Sequence, residues 1–340
     1  MKYIGLDQPY QVGIKEMERP IRKKGEALLK LLYGGICGSD LNTYRGKLPY
    51  AKYPLIPGHE FSAEIVEIDE NENGLRAGMI VTANPYFNCK ECYSCQRGFV
   101  NCCTGNQTMG VQRDGGFREY LTMPIERVYS GQGLPAKEVA LVEPFCISYH
   151  GIKRAKVQKG ERVLVVGAGT IGVFAAISAK LAGAQVYMCD IAESKLNYAK
   201  NFGIDGFIHN DNNVTFLDQV KTVTDGNLFD VTVEAVGLPS TFQNCVDAVA
   251  FHGRTIIIGV GKSNVDFNFT DIQKKEMNIM GSRNAVKTDF EEVIQILTEK
   301  RIKNIDKIVT GEFNYLDAAE AFKTLDENAA DMLKIMLRFS

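Results

Sequence analysis

Four cysteines, Cys89, Cys92, Cys95 and Cys103, form a C-x2-C-x2-C-x7-C run within fifteen residues. Four thiolates complete a tetrahedral Zn²⁺ shell and leave no position for a substrate, so the run reads as a structural zinc site. A bacterial iron–sulfur run would continue with x3-C-P; here seven residues intervene and Thr104 follows Cys103. Cys102 is an alternative fourth ligand by spacing alone. A second set is scattered: Cys37 and Ser39 in GGICGSD, His59 and Glu60 in IPGHEF, and Glu143 in ALVEPF. A thiolate, an imidazole and a carboxylate suffice to hold Zn²⁺ with one position open for water or a substrate oxygen. Taken as residues alone, a core cysteine and an ordinary His-Glu pair are the other reading.

A third signal is VLVVGAGTIG, which places Gly167, Gly169 and Gly172 in G-x-G-x-x-G spacing, with Thr170 and Ile171 between the last two. An apolar strand pattern precedes it and a helical pattern follows, the context of a dinucleotide pyrophosphate site at a helix N-terminus. Asp190 closes the next strand pattern, eighteen residues after Gly172. Its carboxylate suits the ribose hydroxyls of NAD and repels a 2′-phosphate, and residue 191 is Ile where an arginine would favour NADP.

The elements that must position these groups change character along the 340 residues. Up to about residue 80, EALLKLLYGGICG, YPLIPGHEF and SAEIVEID read as short strands between Gly, Pro and Asn turns. From Glu161, RVLVVGAG, IGVFAAISAKLAG, QVYMCD, ESKLNYAKNFG, FDVTVEAVG and RTIIIGVG give the strand and helix alternation of a parallel α/β domain. The tail predicts two helices and a final strand, MLKIMLRF, returning to the first domain. Lys plus Arg is 39 against 41 Asp plus Glu, net −2, with no basic stripe, so no nucleic-acid partner is expected. Nine cysteines, no apolar leader and no run of about 18 apolar residues point to a cytoplasmic protein with metal-bound or core thiols and no membrane span.

Together, GICGSD at 35–40, PGHE at 57–60, the four spaced cysteines, DGGFREY at 114–120, EP at 143–144 and VGAGTIG at 166–172 cover essentially the whole chain. The combination resembles the zinc-dependent medium-chain dehydrogenase/reductases, especially their polyol and sugar-acid branch. The resemblance implies a mixed α/β fold: a β-rich GroES-like catalytic domain at 1–146 with a zinc lobe at about 85–110, a doubly wound Rossmann NAD-binding domain at 147–283, and a return segment at 284–340. It implies a catalytic zinc held by Cys37, His59 and Glu60 or Glu143, with Ser39 opening the proton relay. Arg283 in GSRNA is then a substrate residue suited to a distal carboxylate. Each subunit of a homodimer or homotetramer would carry one catalytic and one structural zinc and use NAD. The small-molecule substrate is a sugar acid, with hexonate 5-oxidation preferred. Sorbitol, galactitol, an inositol, a phosphorylated polyol or threonine are the alternatives, and a catalytically inactive regulatory protein is a remote one. Asn42 stands where many members carry the relay histidine, five residues after the cysteine, and Asp40 matches a common family residue expected to position its neighbours.

Overall fold

The computed structural model describes residues 1–48, 51–211, 215–261 and 263–339. Two compact units form: Met1–Glu143 with Asn284–Lys300 and Ile308–Ser340, and Pro144–Arg283 with Arg301–Lys307. In the first, β1 (Lys2–Gln8) and β2 (Gln11–Glu16) make an antiparallel hairpin. Strand β3 (Glu26–Gly35) leads to helix α1 (Gly38–Tyr44) and then β4 (Glu60–Glu67), β5 (Ile80–Ala83), β6 (Tyr86–Phe87), β7 (Gln107–Thr108), β8 (Tyr120–Pro124) and β9 (Val128–Ser130). Antiparallel pairing joins β3 to β4 and to β8, β4 to β5, and β5 to β9. Leu29, Leu31, Phe61, Ile65, Val81 and Leu121 fill the core between them, as the apolar content of these short runs requires.

The YPLIPGHEF segment departs from the expected strand. Before Glu60 it holds only an isolated bridge between Leu6 and Leu55. Pro54 and Pro57 lack the N–H groups a ladder needs, and the backbone oxygens of Ile56, Pro57 and Gly58 instead accept from Gly115, Phe117 and Gly116 at 2.7, 3.1 and 2.7 Å. The glycines make this lock possible: a Cβ on Gly115 would lie 2.3 Å from the Pro57 oxygen, and one on Gly58 (φ +96°) would enter the Phe117 ring.

Helix α2 (Val142–Ala155) contains Pro144 without a break. Pro144 sits in the first turn, whose N–H groups have no intrahelical partner to lose. The second unit is a six-stranded parallel sheet of β10 (Arg162–Val166), β11 (Gln185–Asp190), β12 (Gly206–His209), β13 (Phe229–Glu234), β14 (Val249–Ile257) and β15 (Asn278–Gly281). The order is β12-β11-β10-β13-β14-β15, with all neighbours parallel. The chain leaves β10 towards β11 on one side and reaches β13 on the other, so the switch point lies at the carboxyl end of β10, where this topology binds ligands. Helix α3 (Thr170–Leu181) starts there, and the helix that follows β11 ends at Gly203 in the left-handed region, φ +69°.

The return segment supplies α4 (Lys287–Thr298), β16 (Val309–Asn314), α5 (Ala318–Glu327) and β17 (Lys334–Arg338). Strand β17 pairs antiparallel with β3 and parallel with β16, completing the first unit's sheet. Strand β16 was not expected: VTGEFN is short, carries a glycine and has only partly buried or exposed positions, so no alternating apolar face announces it. Among the described residues no helix is long and apolar enough to cross a membrane.

The tightest approach is at Gly172, whose Cβ would fall 1.7 Å from the Gly167 carbonyl oxygen. Gly172→Ala must push α3 off the strand end and is expected to cost about 1–3 kcal/mol by overpacking. Calorimetry checks this as a lowered thermal midpoint, and an unchanged midpoint would show that the loop yields freely.

Candidate functional site

Cys37 is the N-cap of α1, and its backbone N–H donates to Asp40 Oδ2 at 3.0 Å. Asp40 Oδ1 accepts the Gly58 N–H at 3.1 Å. One carboxylate, with no exposed surface, therefore ties the start of α1 to the loop carrying His59 and Glu60. Burial raises its pKa above the ordinary carboxylate range, opposed by the charge of His59. The Cys37 sulfur, a His59 ring nitrogen and a Glu60 oxygen lie within 4.8 Å of one another. His59 Nδ1 is buried without a hydrogen-bond partner, and Asp40 Oδ1 lies 4.0 Å from it. A soft thiolate, an imidazole and a carboxylate in this compass match the donor set and scale of a zinc site.

Around this triad stand three further groups. Glu60 Oε2 accepts from Lys334 Nζ at 2.5 Å, and the same ammonium donates to the Ile36 carbonyl at 3.1 Å. Lys334 is 3% exposed and Glu60 1%. Burial by itself would lower the Lys334 pKa, but the negative charges of Glu60 and Cys37 outweigh it and raise it. Glu143, on the first turn of α2, is also buried and lies outside the 4.8 Å triad. Burial pushes its carboxyl up to about 7, and its Oε1 accepts from the Tyr86 hydroxyl. Ser39 stands in the first turn of α1, half-buried, with its carbonyl accepting from Thr43 Oγ1 at 3.0 Å. Arg283 belongs to the second unit, exposed, two residues after the end of β15.

The sulfurs of Cys89, Cys92, Cys95 and Cys103 also lie within 4.8 Å of one another, and none is in a disulfide. Cys102 is exposed and outside the group. Tetrahedral coordination at about 2.3 Å would set the sulfurs roughly 3.8 Å apart. Backbone N–H groups already point at them: Cys89 N donates to Cys103 Sγ at 3.2 Å and Cys92 N to Cys89 Sγ at 3.3 Å. The N–H groups of Cys95 and Thr104 draw the Cys92 thiol down to about 5, whereas burial pushes Cys103 up to about 11. Four adjacent thiolates need a dication to be stable together, so this lobe also fits zinc.

In the second unit, Gly167 (φ +105°) turns the chain out of β10, and a Cβ there would strike Val236. Gly169 caps α3 and accepts from the Val173 N–H at 2.9 Å. Thr170 and Ile171 open the helix beside Gly172. Asp190 ends β11, and its carboxylate accepts from Ala168 N at 2.6 Å and Ala192 N at 2.8 Å. Those bonds tie it to the glycine loop and leave it further lone pairs.

Sequence reasoning missed Lys334 and Tyr86. A lysine in the otherwise apolar IML strand is the one available signal for the first; nothing in VTANPYF marks the second. Two expected outcomes follow. Lys334→Met leaves Glu60 as an unpaired buried charge and should destabilise the first unit by about 3–5 kcal/mol. Denaturant unfolding checks this, with partial recovery in the Glu60→Gln, Lys334→Met double variant. Stripping metal from the lobe should expose its four cysteines to a thiol reagent and open residues 89–103 to proteolysis; a lobe equally resistant with and without metal would contradict the fit.

Comparison with known proteins places these sites in a family. Residues 23–133 match the alcohol dehydrogenase GroES-like domain and residues 170–299 the zinc-binding dehydrogenase domain. The L-galactonate-5-dehydrogenase of Escherichia coli K12 is 33% identical over 339 residues, covering 100% of this chain and 99% of the relative. The sorbitol dehydrogenase of Halalkalibacterium halodurans is 32% identical, covering 96% and 95%. A solved structure of the alcohol dehydrogenase RspB from Escherichia coli CFT073, complexed with NADH, superposes with a TM-score of 0.92 at 30% identity, covering 100% and 99%. On this likeness, with its GroES-like unit and parallel nucleotide-binding sheet, the chain belongs to the zinc-dependent medium-chain dehydrogenase family.

Proposed function

We propose that this chain is an NAD-dependent zinc dehydrogenase that oxidises a secondary hydroxyl of a sugar acid, with a hexonate preferred over an uncharged polyol. The observation that carries the reading is the triad of half-buried Cys37 with buried His59 and Glu60, backed by Asp40. In this reading those three side chains hold the catalytic zinc, Glu143 stands by as a further carboxylate, and Cys89, Cys92, Cys95 and Cys103 hold the structural one. When bound, zinc supplies Lewis acidity towards a hydroxyl oxygen and NAD supplies the hydride acceptor.

The chain's own groups do the rest. Gly167, Gly169 and Gly172, with Thr170 and Ile171, let the backbone approach the pyrophosphate, and Asp190 takes the ribose hydroxyls. Ser39 receives the substrate hydroxyl proton and passes it on; Asn42, in the next turn, has no basic atom with which to continue the transfer as a histidine would. Arg283 fixes a distal carboxylate in a forked pair. The division at about 146 and 283, and assembly as a homodimer or homotetramer, belong to the same proposal. The full-length likeness to an L-galactonate-5-dehydrogenase supports the acid substrate; the likeness to a sorbitol dehydrogenase supports the polyol alternative.

Initial rates of NAD⁺ reduction across stereochemically matched hexonates, polyols, inositols and simple alcohols test the reading. A hexonate is expected to lead, and Arg283→Ala to raise its KM roughly 10- to 100-fold, the loss expected for a charge-assisted bond. Equal use of sorbitol by both enzymes would move the assignment to polyol oxidation.

A further inference from the structure

We propose that Tyr86 is a positioning residue of the catalytic centre: its buried hydroxyl fixes the Glu143 carboxylate, and an Arg127–Asn88 clamp ties that carboxylate to the four-cysteine lobe. The inference rests on the zinc dehydrogenase reading above. Tyr86 is 7% exposed and Glu143 2%, so the hydroxyl-to-carboxylate bond between them is made away from water. A buried carboxylate without a donor is costly, and the phenol is too stiff, with two rotatable bonds, to follow Glu143 if it swings. Glu143 is therefore held by one oxygen.

The backbone of Tyr86 is itself pinned from three sides. Its N–H donates to Asn84 Oδ1 at 2.9 Å, its carbonyl accepts from Arg127 Nη1 at 2.6 Å, and its strand pairs with Thr108. The other arm of the Arg127 guanidinium, Nη2, donates to Asn88 Oδ1 at 2.8 Å, and Asn88 Nδ2 donates to Cys95 Sγ at 3.6 Å. Arg127 also stacks over the intervening Phe87 ring, 4.5 Å from its centroid. It is 9% exposed and, among the described residues, makes no salt bridge. A guanidinium desolvated to this extent spends its donors on Tyr86 and Asn88, two residues of the one short segment that enters the lobe. The result is a continuous hydrogen-bonded path from a lobe sulfur through Asn88, Arg127 and Tyr86 to Glu143. A lobe that held metal poorly would slacken that path at its far end.

The test uses the zinc-loaded full chain and compares wild type with Tyr86→Phe, Asn88→Ala, Glu143→Gln and the Tyr86→Phe, Glu143→Gln pair. Two quantities are read: kcat and KM separately, and the rate at which the more labile zinc passes to a chromogenic chelator. Tyr86→Phe is expected to lower kcat about 10- to 100-fold with a smaller change in KM, the loss of one buried bond to a charged acceptor. It should also change the zinc-transfer rate at least several-fold while the lobe keeps its metal. In the pair, Tyr86→Phe should add little to Glu143→Gln, because the tyrosine acts through that carboxylate. Asn88→Ala should reproduce part of both effects. Additive losses, or a Tyr86→Phe enzyme within twofold of wild type in kcat and zinc transfer, would overturn the proposal. If Tyr86→Phe does not fold, Asn88→Ala decides by the same two readouts. A wild type inactive on every alcohol sinks the functional reading instead, and zinc transfer then still decides for or against Tyr86.

Discussion

The Asp40 carboxylate accepts two backbone N–H groups, those of Cys37 and Gly58, from segments about twenty residues apart in the chain. With no exposed surface, it cannot trade those donors for water, so losing either would leave a buried acceptor short of a partner. The bond to Cys37 starts α1 and sets the direction of the cysteine side chain. The bond to Gly58 fixes the residue before His59. Cys37 and His59 therefore approach each other because both are hung from one rigid group, and the rest of the first unit can be understood as support for that arrangement.

Support comes first from the lock between residues 56–58 and 115–117. Its three bonds satisfy backbone groups that two prolines withhold from the sheet, and Phe117 fills the space that the missing Cβ atoms of Gly34 and Gly58 leave open. This explains in physical terms why PGHE and DGGFREY occur in one chain: each supplies what the other's backbone lacks. From the opposite side β17 delivers Lys334, so the last strand of the chain brings the cation that offsets Glu60. A buried ion pair seldom adds net stability over an apolar pair; here it gives the buried carboxylate beside Cys37 a cationic partner.

Much of this was legible in the residues themselves, and the reasons are local. The glycine motif and Asp190 could be read because every constraint they satisfy lies within a few residues of a strand end. The four-cysteine run could be read because metal geometry leaves few alternatives at that spacing, although choosing Cys103 over Cys102 needed coordinates. The Cys37, His59 and Glu60 set was ambiguous until a family resemblance joined its parts, since nothing in GICGSD alone announces a partner in PGHE. Tyr86 and Arg127 were not legible, and Lys334 showed only as a lysine in an apolar strand pattern, because their meaning depends on pairings between β17 and β3, and between Arg127 and the segment of Tyr86 and Asn88. Strand β16 escaped for the opposite reason: its partner β17 stabilises it, and its own pattern is too weak to show.

The two carboxylates beside the triad are held by different chemistry, and the difference has consequences. Glu60 is paired with the Lys334 ammonium, and one of its oxygens lies within the compass of Cys37 and His59. Glu143 is bound by a neutral phenol and burial pushes its carboxyl up to about 7. A cation already facing Cys37 and one carboxylate gains less from a second one whose charge is expensive to bury. In the proposed function these partners rank the two carboxylates: Glu60 would share the metal with Cys37 and His59, and Glu143 would stay close and oriented by Tyr86.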